Sequence, residues 1–388
     1  MRHETGIALI ERIHDNLAAK RRELAERELR VPVSPYRSAE DHAREQMLFR
    51  RFPLVMGHAS ELPEPGATLA HDGAGVPILI VRGADGRVRA FLNVCRHRGG
   101  RIVDARRGRA ARGLICPYHA WSYGLDGRLN ATSDAEAFPS VSSSSLPGGG
   151  LVALPAAERF GLLWVQPEAR ADGSTDLDIE RHLGPLAEDF AAFGLEDAVF
   201  HDPHVLRQGM NWKLMVDTFL EDYHFRFVHG RSVYRYYLDD AAIYERFGPH
   251  IRYVIPKRTI LDLKGTDRAS WKLRDHANIL YLLFPNTVMV FVADHAAIFA
   301  MFPDGPERAT MELTFCVPQT PSTEKAQTYW NKNTDLIRAA LAEDFRVAEG
   351  VQGNIASGAN AEFVFGRYEK GLQFFHQAID EALGRRQG

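Results

Sequence analysis

Cys95-Arg96-His97 and, after eighteen intervening residues, Cys116-Pro117-Tyr118-His119 put two thiols and two imidazoles on two short segments. Two thiolates on one iron and two imidazoles on the other make a mixed-ligand [2Fe–2S] cluster, and each segment supplies one of each. Gly99-Gly100 and Pro117 suit tight loops that clamp a cluster from opposite sides. Neutral imidazoles lift such a centre to roughly −150 to +300 mV, above all-cysteine ferredoxins. It can then accept electrons from a ferredoxin or flavin reductase and pass them to iron–oxygen chemistry. The same four ligands fit a Cys₂His₂ zinc site, an alternative that the second cluster and the β-rich surroundings make less attractive. Arg96, Arg98, Arg101, Arg106, Arg107, Arg109 and Arg112 crowd the segment. They read as a solvated face or as a positive rim that steers an acidic electron donor.

The second cluster is Glu221-Asp222-Tyr223-His224 with His229 five residues on. Two histidines and one carboxylate on one face hold non-haem Fe(II) with positions left open for O₂. Five residues turn about 140° around a straight helix, so the spacing predicts a bulge or a helix end at Phe225 to Val228. Glu221, three before His224, shares its face. It is placed to hold Nδ1–H of that imidazole and orient it, with Asp217 one turn earlier as the alternative. The third ligand is not local, and the residues alone leave Asp344 and Glu349 open. Asn211, Trp212 and Tyr223 are candidates to line the iron site or simply to pack. His201, His204, His276 and His295 read as non-ligands and Cys316 as a buried thiol.

The elements that must position these residues follow from periodicity. Ile10, Ile13, Leu17 and Leu24 predict a helix over 7–30. Short β runs predict strands at 76–81, 88–92 and 161–165, the first two joined by a turn at Gly83-Ala84-Asp85-Gly86. A helical stretch over 209–223 carries the second cluster. Strands are expected at 252–255, 277–284, 287–292, 297–302 and 310–317, with closing helices at 322–349 and 361–383. Leu280, Leu282, Leu283, Phe284, Val290, Phe291 and Phe299 would line an apolar pocket or, for most of them, form sheet core. The 388 residues favour two domains. A net charge of −3 gives no sign of a nucleic-acid or anionic-membrane partner. No apolar run is long enough for a bilayer span, the N-terminus does not resemble a signal peptide, and three cysteines make no disulfide framework. A reducing cytoplasm is the expectation.

The chain resembles the α (catalytic) subunit of the Rieske non-haem iron oxygenases, the aromatic-ring-hydroxylating family. The residues that carry the likeness are Cys95-x-His97, Cys116-Pro117-Tyr118-His119-Ala120-Trp121, Asn211-Trp212-Lys213, Glu221-x-x-His224-x-x-x-x-His229 and Glu343-Asp344 through Gly353. It runs from about residue 35 to the C-terminus. It implies an α+β architecture in three parts: a helical segment 1–45 packing on the catalytic domain, a β-rich Rieske [2Fe–2S] domain 46–170, and a catalytic domain 171–388. The last would be a helix-grip (START-like) antiparallel sheet with long helices.

The same resemblance implies cluster ligands Cys95, His97, Cys116 and His119, iron ligands His224, His229 and Asp344, and catalytic roles for Asn211 and for Glu221. Glu221 would be the bridge that carries an electron from a neighbouring subunit's cluster within a homotrimer. NAD(P)H would act only through a separate reductase, and O₂ would be the cosubstrate. Many ring dioxygenases carry Asp at the position of Glu221, whereas several amine monooxygenases carry Glu, which favours monooxygenation or dealkylation over cis-dihydroxylation. An aromatic or largely apolar organic substrate is the first expectation and a quaternary amine the second. A non-catalytic, redox-sensing ligand binder is a third, disfavoured by a complete set at the second site.

Overall fold

The structure, a computed structural model, describes residues 1–385. These divide into two compact units, one of residues 46–182 and 195–197, the other of residues 1–45, 183–194 and the chain from 198 onward.

The smaller unit is built of short antiparallel strands. Its largest sheet has five, in the order Ala153–Leu154, Val88–Leu92, Ile78–Arg82, Ala67–His71 and Arg107–Arg109. The turn at 83–86 closes the expected hairpin: Gly83 N donates to Arg87 O, and Gly86 takes φ +78°. A three-stranded sheet holds Leu114–Ile115, Ser122–Tyr123 and Leu129–Ala131. Leu79, Val81, Phe91, Leu114, Trp121 and Tyr123 form a buried core with Cys95 and Cys116. Apolar side chains alternating along short strands thus bury the two thiols while the loops around them reach outward.

The larger unit is a seven-stranded antiparallel sheet in the order Val199–Gln208, Ala309–Val317, Ala296–Pro303, Thr287–Phe291, Ala277–Leu283, His250–Pro256, Ile243–Phe247. The last six strands form a meander, and the first returns to pair with the last. Long helices accompany it, Glu324–Ile355 and Lys370–Leu383. The α+β class, with a β-rich N-terminal part and a C-terminal sheet with long helices, is as expected. The Glu324–Ile355 helix starts where Thr323 accepts from Ala326 N. Trp330, Thr334, Leu341, Phe345, Ala348, Gln352 and Ile355 recur at three-, four- and seven-residue spacing to form its buried face.

Three expectations need correction. The N-terminal helix stops at Ala18, before Lys20 at φ +51°, and Leu29–Pro32 is a strand. Residues 361–369 are not helix: Glu362–Phe365 pairs antiparallel with Leu29–Pro32, and the last helix starts only at Lys370. The stretch 209–223 is helical only over Trp212–Asp217.

Candidate metal centres and cavity

In the smaller unit the two halves of the first motif are copies of one turn. Cys95 N donates to Gly100 O at 2.8 Å, and Gly99 N donates to Cys95 O at 3.0 Å. Cys116 N donates to Trp121 O at 2.9 Å, and Ala120 N donates to Cys116 O at 3.0 Å. Both turns need a left-handed residue at the same place, Gly99 at φ +78° and Ala120 at φ +55°. The loops face each other closely, since a Cβ on Gly100 would lie 3.3 Å from Cys116 Sγ. The His97 and His119 rings are 4.8 Å apart, and Trp121 stacks on His97 at 4.9 Å.

The donor set fits a [2Fe–2S] cluster. His97 Nδ1 is buried without a hydrogen-bond partner. Burial, then the neighbouring His119 and Arg98, lowers the pKa of His97 and favours the neutral imidazole that a metal needs. Burial raises the Cys95 thiol, a cost that metal binding offsets by taking the thiolate. Tyr123 Oη lies 3.2 Å from Cys95 Sγ, placed to donate to that thiolate, and accepts from Arg96 N at 3.0 Å. The arginine rim is less free than its sequence suggests. Arg101 pairs with Asp72, Arg107 with the buried Glu61, and Arg109 with Glu64.

In the larger unit, Asn211 opens the Trp212–Asp217 helix, its Oδ1 accepting from Lys213 N at 3.0 Å. The helix tightens at its end, where Phe219 N donates to Val216 O and Leu220 N to Asp217 O. An irregular stretch follows, and the single turn Phe225–Val228 then separates the two histidines. A first break therefore falls before His224, and the short turn ends at Val228, between the two histidines as expected. His229, at φ −100° and ψ 15°, leaves the turn and re-aims its ring. Gly371 lets the last helix approach this stretch, because a Cβ there would lie 2.2 Å from Leu220 O.

The long helix brings Asp344 to both imidazoles. Its Oδ1 lies 3.0 Å from His229 Nε2 and 3.4 Å from His224 Nε2. One donor atom from each of the three residues lies within 4.8 Å of the others. His224 Nε2 is buried and without a hydrogen bond. Two imidazoles and one carboxylate around a point fit a mononuclear iron. Each ring is also held from behind. Glu221 Oε1 bonds His224 Nδ1, and Glu221 Oε2 accepts from His224 N at 3.1 Å. Glu343 Oε2 lies 2.7 Å from His229 Nδ1 and accepts from Ser232 Oγ at 2.7 Å. Burial works against protonation of both rings, but the carboxylates outweigh it and raise both pKa values.

Other expected residues lie elsewhere. Glu349 accepts from Gly209 N. Asp217 meets His376 Nε2 at 2.9 Å and Tyr36 Oη at 3.2 Å. Asn211 does not join the triad: it is a buried helix cap whose Nδ2 donates to Pro306 O and Tyr36 O. Trp212 Nε1 donates to Glu45, and Tyr223 is exposed. Glu343 was not foreseen as a support, although its place beside Asp344 in the Glu343-Asp344 pair is the signal that marks it.

His229 and Asp344 open onto a cavity of about 460 Å³ whose walls include Phe219, Phe225, Tyr237, Phe299, Leu280 and Val290. Phe219 and Phe299 are 4.8 Å apart between centroids, and Phe225 and Tyr237 5.6 Å. Leu282, Leu283, Phe284 and Phe291 are buried away from the cavity wall. Among the described residues no helix is long and apolar enough to cross a membrane.

Comparison with known proteins agrees with this geometry. Residues 52–142 match the Rieske [2Fe-2S] domain, and residues 195–385 match the ring hydroxylating alpha subunit (catalytic domain). The chain belongs to the Rieske-domain-containing catalytic subunits of the ring-hydroxylating oxygenase type. It is an oxidoreductase in architecture, with a Rieske [2Fe–2S] domain and a mononuclear iron-binding site.

It is similar to the glycine betaine monooxygenase oxygenase subunit of Pseudomonas aeruginosa, at 32% identity over 186 residues. That alignment covers 46% of this chain and 39% of that protein, less than half of the relative's length. With the subunit of the same description from Chromohalobacter salexigens it shares 28% identity, over 77% of this chain and 74% of that one. Its fold is similar to that of a quaternary ammonium Rieske monooxygenase in complex with L-carnitine. The TM-score is 0.77 at 21% identity, over 93% of this chain and 96% of that chain. Naphthalene 1,2-dioxygenase from Rhodococcus sp. bound to indole has a TM-score of 0.73 at 18% identity, over 98% of each chain.

Proposed function

We propose that this chain is a terminal oxygenase that monooxygenates a small quaternary amine with O₂ and electrons from a separate reductase or ferredoxin. The observation that carries the reading is the aromatic cavity beside the His224, His229 and Asp344 triad. Ring faces attract a cation without hydrogen-bonding it, which suits a quaternary nitrogen that has no N–H to donate. Relatives described as glycine betaine, carnitine and choline monooxygenases support the amine over the aromatic substrate that the sequence alone put first.

When bound, the [2Fe–2S] cluster supplies electrons and the mononuclear iron supplies O₂ activation. The protein's own residues do the rest. Glu221 and Glu343 hold the Nδ1 atoms of His224 and His229, so that both Nε2 atoms face Asp344 Oδ1. Phe219, Phe225 and Phe299 exclude water and present π faces to the substrate cation. Asn278 Nδ2 donates to Tyr237 Oη at 2.6 Å and fixes that ring in the wall. In a homotrimer Glu221 would be the residue through which a neighbouring subunit's Rieske histidine communicates with His224. Its carboxylate already grips the His224 side of that path.

The test is anaerobic reduction followed by O₂ admission over a panel of quaternary amines and small aromatics, with product and peroxide followed together. Product from an amine, with little peroxide, supports the reading. Tight coupling to an aromatic hydrocarbon, with amines inert, overturns it.

A further inference from the structure

Lys257 sits in the wall of the same cavity. It follows the His250–Pro256 strand, in which Ile255 is the cross-strand partner of Asn278 on Ala277–Leu283. Residues two apart on a strand share a face, so Ile255, Asn278 and Lys257 look the same way, and all three line the cavity. The ammonium group has no ion pair or hydrogen bond among the described residues. Lys257 is half-buried in the cavity wall, so its ammonium, with no partner from the fold, is left to pair with water or with what enters the cavity. Burial lowers its pKa, while Asp275 and Asp294 act in the opposite direction and favour the charged form.

Asp294, also in the wall, does not act as its partner. Its Oδ2 accepts from Tyr329 Oη at 2.5 Å, and its Oδ1 lies 2.8 Å from His295 Nδ1. Asn278 adds a second unfulfilled group: its Oδ1 is buried without a hydrogen bond, while its Nδ2 is taken by Tyr237.

We infer that Lys257 receives a carboxylate of the substrate, so that the cavity is built for a zwitterion: an onium group among the aromatic rings and a carboxylate at the lysine. This rests on the proposed substrate class and narrows it. A carboxylate is favoured over a phosphate because the site offers one cation, with the Asp294 carboxylate in the same wall. A monocarboxylate pairs one to one with the ammonium, whereas the second charge of a dianion would meet only the Asp294 carboxylate. Choline-like alcohols would leave the ammonium unpaired and bind less well. Lys257 is thus a specificity-determining residue, distinct from the triad and from the carboxylates that support it.

The experiment is equilibrium dialysis of the holoenzyme, wild type and Lys257→Met, with radiolabelled trimethylglycine, choline, benzoate and benzyl alcohol. Lys257→Arg serves as the charge-retaining control, and Rieske absorbance and iron content as checks of folding. Wild type is expected to prefer trimethylglycine to choline. Lys257→Met is expected to weaken trimethylglycine by about tenfold to a hundredfold with little change for choline, and Lys257→Arg to recover most of the loss. If wild type and Lys257→Met hold each carboxylate equally, or neither protein holds one, the assignment of Lys257 is overturned. If benzoate alone binds and is lost in Lys257→Met, the lysine keeps its role and the amine reading falls instead.

Discussion

Glu343 offers a sharp test of how the iron site is held. Its Oε2 lies 2.7 Å from His229 Nδ1 and takes a second bond from Ser232 Oγ at 2.7 Å. A hydrogen bond to a charged group contributes about 1.5–3 kcal/mol. The Glu343 side chain is 30% exposed, which places it at the low end of that range. Glu343→Ala should therefore cost about 1.5 kcal/mol of ring positioning, or about tenfold in iron affinity. That lies within the roughly 10–100-fold typical of groups that orient a metal ligand. Glu343→Gln keeps an acceptor oxygen and should lose less, and Ser232→Ala, which removes only the neutral bond, least of all. Chelator competition at the mononuclear site reads the affinity, with Rieske absorbance as an internal standard. If Glu343→Ala retains iron as tightly as the wild type, the support does not matter. If cluster and mononuclear iron are lost together, the effect is unfolding.

Three further outcomes follow from groups around the site. Lys213 is buried with Glu45, its Nζ 2.5 Å from Oε1, while Trp212 Nε1 holds the other oxygen at 2.7 Å. Lys213→Met should leave that carboxylate unpaired and cost about 3–5 kcal/mol in denaturant unfolding; a cost under about 1 kcal/mol would refute the pairing. Burial pushes the Glu369 carboxyl from its usual 4.5 up to about 7, with Glu221 and Asp217 adding to the rise. The unfolded chain ionises above about 4.5 and the folded one only near 7, so stability falls across that window and stays lowered above it. Glu369→Gln should raise the melting temperature at pH 8 relative to wild type but not at pH 4, and equal shifts at both would contradict this. Gly371→Ala must displace the Leu220 carbonyl beside Glu221; it should reduce mononuclear iron while sparing the Rieske spectrum, and full iron in the purified variant would refute the close approach.

Much of this was legible before folding because ligand chemistry and strand periodicity are local. Cys95, His97, Cys116, His119, His224 and His229 are marked by their spacing, and the strands at 277–283, 287–291, 296–303 and 309–317 by apolar runs. What escaped depends on distant partners. The Val199–Gln208 strand contains Pro203 and charged residues, and its register shifts between His201 and His204. It tolerates them because it is an edge strand with one neighbour and a bulge. The Glu362–Phe365 strand looks like the start of a helix until Leu29–Pro32, more than three hundred residues earlier, pairs with it. Asn211 next to a tryptophan in a resembling motif suggested chemistry, but its side chain is consumed in capping a helix. Lys257 has no local mark at all; only the assembled sheet face turns it into the cavity.

The central claim is that two separate iron sites share this chain, and metal analysis of His224→Ala tests it most directly. The wild type should hold about three irons for every two inorganic sulfides, and the variant about one iron per sulfide with its Rieske spectrum unchanged. A variant that keeps the full iron content, or zinc in place of iron and sulfide in the wild type, would contradict the account.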